Sequence, residues 1–281
     1  MNKNKLQNIL CVALPIIFIG VLALGISSGK KEKERLANLK LDYEISYNTA
    51  AKPEDNTSSK SEGEQQEEAG NDTESDGAKK DFKFEDKTIL FLGDGVSVEG
   101  VYQKKAAEIL KLKDYVNGAK SGLILKEMDD EISEESLKNI DIVVILGGTN
   151  DYSRNRTLGE AADDKTVDTF YGNIQDVIDN VKSFKENVEL VFLTPLKHGH
   201  VDGQPSYPDA NNQGSYLDDY VNAIKEVCTK NNVKYIDMFN ESGIDESNVA
   251  EYTTNNIILS EAGHDLVAEV IAEKLRELFE K

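Results

Sequence analysis

From about Lys87 to the C-terminus, short apolar runs alternate with longer amphipathic ones. Thr88–Leu92 (TILFL), Ile142–Leu146 (IVVIL), Leu190–Leu193 (LVFL) and Val233–Ile236 (VKYI) have the continuous apolar character of strands buried on both faces, and Tyr115–Asn117 is a shorter candidate. Between them, Tyr102–Leu110, Leu123–Ile132, Val167–Phe184, Tyr216–Lys230 and Asp265–Phe279 read as helices. In Val167–Phe184 the apolar residues Phe170, Ile174, Val177, Ile178 and Val181 recur at helical spacing. Alternating strands and helices imply a central parallel sheet of about five strands covered on both faces. Right-handed crossovers then give a three-layer α/β/α sandwich of the flavodoxin-like kind. In such sheets ligands bind outside the carboxyl ends of the strands, so the residues after each strand carry the most information.

The N-terminal third has a different pattern. Ile9–Ile26 (ILCVALPIIFIGVLALGI) is uncharged and about the length of a bilayer span. Lys3 and Lys5 precede it, and Lys30, Lys31, Lys33 and Arg35 follow it. Flanking charge is thus ambiguous, but a short basic start before an apolar stretch is how export signals begin. Residues 1–8 are expected inside the cell, 9–28 as a membrane anchor and the rest outside. The alternative is a cleaved signal peptide, for which Ala23-Leu24-Gly25 is a weak site, and a secreted product. From there to residue 85 the chain is expected to be a disordered acidic tether. Lys52–Gly77 has almost no apolar residue to offset the entropy of ordering. The folded domain is expected over 86–281.

The formal charge of −20 argues against nucleic acid, whose phosphates would be repelled. The two cysteines, Cys11 and Cys228, lie in the apolar run and in an expected helix far from it, which leaves no disulfide within the domain and no cysteine zinc site. No cofactor is expected.

Four segments follow the strands or lead into the last helix: Gly93-Asp94-Gly95-Val96-Ser97, Asn117-Gly118-Ala119-Lys120-Ser121-Gly122, Gly147-Gly148-Thr149-Asn150-Asp151, and Asn255-Asn256-Ile257-Ile258-Leu259-Ser260-Glu261-Ala262-Gly263. Singly each is a common turn or cap. Together and in this order they resemble the SGNH/GDSL hydrolases over roughly Lys87 to Lys281. The resemblance implies a Ser nucleophile at position 95, oxyanion-hole donors at Gly122 and Asn150, and an Asp-x-x-His pair at positions 255 and 258. Such chemistry needs a base to take the hydroxyl proton, an acid to fix the base, and preorganised N–H donors for the tetrahedral oxyanion.

All three triad positions differ here: Gly95, Asn255 and Ile258. The run Leu259–Gly263 anchors the alignment of the last motif. What remains of the cleft is Asp94, Gly122, Asn150 and Asp151. Ser97 is a candidate substitute nucleophile, and Ser121 lies beside Gly122. His198, His200 and His264 are the only histidines. His264 is expected to be structural. His198 and His200 lie in a loop on the ligand side of the sheet and could reach the cleft. As a His-x-His pair they lack a third metal ligand, so no metal site is assigned. The polar loop His198–Ser215, with Tyr207, Asn211, Asn212 and Gln213, has side chains suited to sugars, and equally to a plain solvated surface.

These readings lead to three functions. The first is a membrane-anchored, extracytoplasmic, catalytically inactive member of the fold that binds a cell-envelope glycan or acylated ligand, or assists an acyl-modifying partner. The second is an active ester hydrolase or acyltransferase acting on short acyl esters or acetylated surface glycans through an unusual nucleophile such as Ser97. The third is an envelope scaffold with a vestigial cleft and a protein partner.

Overall fold

The computed structural model describes residues 82–280. The expected anchor at 9–28 and nearly all of the expected tether lie outside the described residues. Among the described residues, no helix is long and apolar enough to cross a membrane.

Five strands form one sheet: β1 (Thr88–Gly93), β2 (Asp114–Asn117), β3 (Ile142–Leu146), β4 (Glu189–Leu193) and β5 (Lys234–Ile236). Their order is β2-β1-β3-β4-β5, and every neighbouring pair is parallel. The chain therefore reverses its direction of winding between β1 and β3, and the crevice at that point is where a sheet of this kind takes a ligand. Among the described residues, nine α-helices lie between and after the strands: α1 (Val101–Leu110), α2 (Leu125–Asp129), α3 (Glu134–Leu137), α4 (Thr149–Ser153), α5 (Phe170–Phe184), α6 (Leu217–Lys230), α7 (Met238–Glu241), α8 (Val249–Tyr252) and α9 (Glu261–Phe279).

Strands β1, β3 and β4 bury both faces, as their unbroken apolar runs require, whereas the edge strand β2 is largely exposed and β5 is half-buried. Leu90, Leu92, Val143, Ile145, Leu190 and Phe192 pack with Leu125, Ile174, Val177, Ile178, Tyr220 and Ile224 of the helices on one side. The alternate residues face α1 and α9, where Phe91 meets the Tyr102 ring edge-on at 6.4 Å. Fully burying an Ile or Val of the α5 stripe stabilises the fold by about 1.5–3 kcal/mol.

Helix ends follow their caps. Thr169 Oγ1 accepts from Gly172 N, so α5 begins at Phe170 and not at Val167. Ser260 Oγ accepts from Gly263 N, which starts α9 four residues before the expected Asp265. The expected helix Leu123–Ile132 shrinks to α2, and α3, α4, α7 and α8 are short turns of helix that periodicity does not reveal. The folded body also begins before the expected boundary at 86. Phe84 is buried, and Phe82 and Phe84 pack on Phe279 at the end of α9, with ring centroids 4.6 and 6.0 Å away.

Candidate functional site

The first motif closes a tight turn at the end of β1. Asp94 Oδ1 accepts from Val96 N (3.0 Å), and Asp94 O accepts from Ser97 N (2.9 Å). The turn curls Ser97 back beneath the strand end. A Cβ on Gly93 would collide with Ser97 Oγ, so glycine is needed for that approach. Ser97 is wholly buried, its Oγ shares a hydrogen bond of 2.8 Å with the Tyr102 hydroxyl, and its carbonyl accepts from Gln103 Nε2 (2.7 Å). The candidate substitute nucleophile thus faces α1, where it serves the fold. Gly95, where the resemblance implies the nucleophile, is buried and has no side chain.

The second and third motifs meet the first across the crevice. Asn150 is 1% exposed, and its Nδ2 donates to Leu123 O (2.9 Å) and, at 3.5 Å, to Asp94 Oδ2. Asp151 accepts from Leu125 N at 3.1 Å, which caps α2. Gly122 is buried with φ of 79°, a conformation that favours glycine. Ser121 Oγ, beside it, is buried with no hydrogen-bond partner among the described residues. Of these residues Asn150 reaches Asp94 directly, and its amide also donates into the protein, to Leu123 O.

Burial dominates the two carboxyls. It pushes Asp94 up to about 6 against the Val96 N–H and the Arg154 charge. It pushes Asp151 up to about 7 against the Leu125 N–H and the charges of Arg156 and Arg154. Arg154 was not singled out by sequence reasoning. Its side chain is 5% exposed and lies 3.6 Å from Glu127 Oε2.

The last motif ends in apolar contact. Asn255 Oδ1 accepts from Ile258 N (2.8 Å) and Ile257 N (3.3 Å), closing the turn that presents Ile258, which is buried. Asn256 holds the neighbouring loop: its carbonyl accepts from Gly199 N (2.8 Å) and its Nδ2 donates to His200 O (2.7 Å). His198 is brought to this edge and buried, with its ring 6.3 Å from that of Tyr152. Its Nδ1 lies 2.9 Å from Gly199 O, and because a carbonyl only accepts, Nδ1 carries the proton. Burial lowers its pKa, which leaves a neutral ring with an Nε2 lone pair that has no hydrogen-bond partner among the described residues. His200 is exposed and lies 3.3 Å from Asp202. His264 is buried on α9, stacked on Tyr102 and 3.6 Å from Glu99. Among the described residues no group of three or more His, Cys, Asp and Glu side chains is placed to hold a metal ion.

The model of the GDSL-like lipase/acylhydrolase family matches residues 92–266. No curated protein matches in sequence. Among solved structures, a protein of Lactobacillus plantarum superposes with a TM-score of 0.63 at 22% identity, covering 70% of this chain and 99% of its own. A possible lipase from Chitinophaga pinensis gives 0.57 at 18% identity, covering 69% and 99%. The lipase/acylhydrolase from Enterococcus faecalis gives 0.51 at 18%, covering 69% and 98%. At these identities the structural likeness speaks for the fold alone.

Proposed function

This chain belongs to the GDSL-like lipase/acylhydrolase family, and within it we propose a member that binds a ligand at the carboxyl end of the sheet without hydrolysing it. One observation carries the reading: the cleft offers neither nucleophile nor base where the family's chemistry needs them. Gly95 has no side chain, Ile258 is a buried hydrocarbon, and Ser97 is tied to Tyr102. A hydroxyl without a base is a poor nucleophile, and loss of triad members costs several orders of magnitude in rate. The Asn150 amide, used by Leu123 O, is a poor oxyanion donor as it stands. The ligand class we assign is a cell-envelope glycan or an acylated molecule, bound by the chain itself or offered to an acyl-modifying partner. The apolar run Ile9–Ile26 supports display at the outer face of a membrane.

The test is hydrolysis of p-nitrophenyl acetate, butyrate and octanoate by the full chain, with Ser97→Ala and His198→Ala alongside. Release equal to that of both variants is expected. The second reading, an active ester hydrolase, draws on His198, whose neutral ring and fixed tautomer are what a general base requires. Turnover abolished by His198→Ala would replace the first reading with this one.

A further inference from the structure

The connection between β4 and α6, Thr194 to Tyr216, has neither helix nor strand. Structureless loops beyond about 12–15 residues are uncommon inside compact domains and are usually either functional or disordered. This one emerges at the carboxyl end of β4, on the ligand side of the sheet, and it is held rigidly. Asn211 is buried; its Nδ2 donates to Tyr152 O and lies 3.1 Å from the Tyr220 hydroxyl, while its Oδ1 accepts from Gln213 N and Ser215 N. The Tyr152 hydroxyl donates to Asp209 O (2.6 Å), and Asn212 N donates to Asn155 Oδ1 (2.6 Å). Ser206 Oγ accepts from Val201 N and donates to Val201 O, which folds the loop's outer arm onto itself. The loop is thus bolted to α4, the helix that carries Asn150, and to α6.

Among these residues lies an open surface depression of about 390 Å3, whose polar lining comes from His200, Gln204, Ser206, Asp209 and Asn212. Its lining holds a carboxylate, two amides and an imidazole, but no lysine or arginine. Asp209 and Asn212 are exposed, and the fold uses their backbones but not their side chains. A preorganised loop presenting unused polar groups is an inexpensive binding surface, because little ordering remains to be done when a ligand arrives.

We propose that this loop forms a subsite for a neutral oligosaccharide beside the altered cleft. Sugar hydroxyls donate to the Asp209 carboxylate and accept from the Asn212 amide, as a mixed donor and acceptor lining requires. An anionic ligand meets Asp209 and the chain's net charge of −20 without a lysine or arginine in the lining. The subsite rests on the ligand-binding reading above and names its ligand class.

The experiment is titration of the full chain with chitotetraose, xylotetraose and, as an anionic comparator, tetragalacturonic acid, read by isothermal calorimetry. Binding of at least one neutral tetrasaccharide is expected, weakened about fivefold to tenfold by Asp209→Ala and by Asn212→Ala, with no binding of the anionic one. An unchanged near-ultraviolet dichroism spectrum shows that each variant is folded. Lack of neutral binding, or tighter anionic binding, overturns the subsite. Binding that survives both variants places the ligand elsewhere, which removes the subsite but leaves the ligand-binding reading. Ester turnover with sugar binding intact does the reverse.

Discussion

Raising the pH from 5 to 8 should destabilise the domain through Asp94 and Asp151, and the size of the effect follows from their burial. Both carboxyls are raised above the ordinary 3.8, Asp94 to about 6 and Asp151 to about 7, chiefly by desolvation. A raised folded-state pKa means that the native protein binds the proton more tightly than the unfolded chain does. The stability this confers is complete below pH 3.8 and is lost as pH climbs through 6 for Asp94 and 7 for Asp151. At about 1.4 kcal/mol for each pKa unit, raising the pH from 5 to 8 removes about 1–2 kcal/mol through Asp94 and about 3 through Asp151, or about 4 in all. Asp129, also raised, adds in the same direction, whereas His198, lowered by burial, acts oppositely on the acid side of its ordinary 6.5. The assay is urea unfolding at constant ionic strength at pH 5, 6.5 and 8. The chain has no tryptophan, so buried Tyr102, Tyr152 and Tyr220 report domain unfolding through near-ultraviolet dichroism. The midpoint should fall by about 1.5 M between pH 5 and 8, given an m-value of about 2–3 kcal/mol/M. Asp151→Asn keeps an acceptor for Leu125 N and should remove more than half of that fall. A midpoint that is flat or rises with pH, or an unchanged slope in Asp151→Asn, refutes the reasoning.

Two further outcomes follow from the site. Tyr102→Phe deletes one partner of the buried Ser97 hydroxyl and should cost about 1–3 kcal/mol in urea unfolding without changing ligand affinity; a neutral effect would mean that Ser97 Oγ finds another partner, and with it freedom to act in the cleft. The combined substitution Gly95→Ser, Asn255→Asp and Ile258→His should gain turnover of p-nitrophenyl acetate over the double variant that keeps Ile258. Equal rates would show that positions 95, 255 and 258 do not converge.

The strands were legible because a run such as IVVIL, buried on both faces, declares itself by composition alone. Helix α2 was overdrawn because its start is fixed by the carboxylate of Asp151, a partner distant in sequence that periodicity does not encode. Ser97 looked available from its place two residues past Gly95. Its burial follows from the Asp94 turn together with Tyr102, a partner visible in the sequence but without a signal of pairing. The same physics separates the motif residues this chain keeps from those it lacks. Asp94 holds Val96 N, Asn150 holds Leu123 O, Asp151 caps α2, and Gly122 takes a backbone conformation that side chains resist. Each does structural work that would be missed without any catalysis. Positions 95 and 258 do none beyond filling space. Position 255 needs only an acceptor for Ile258 N, which Asn supplies as well as Asp would. Selection for the fold alone would preserve the first group and release the second, so the presence of Asn150 does not by itself argue for hydrolysis.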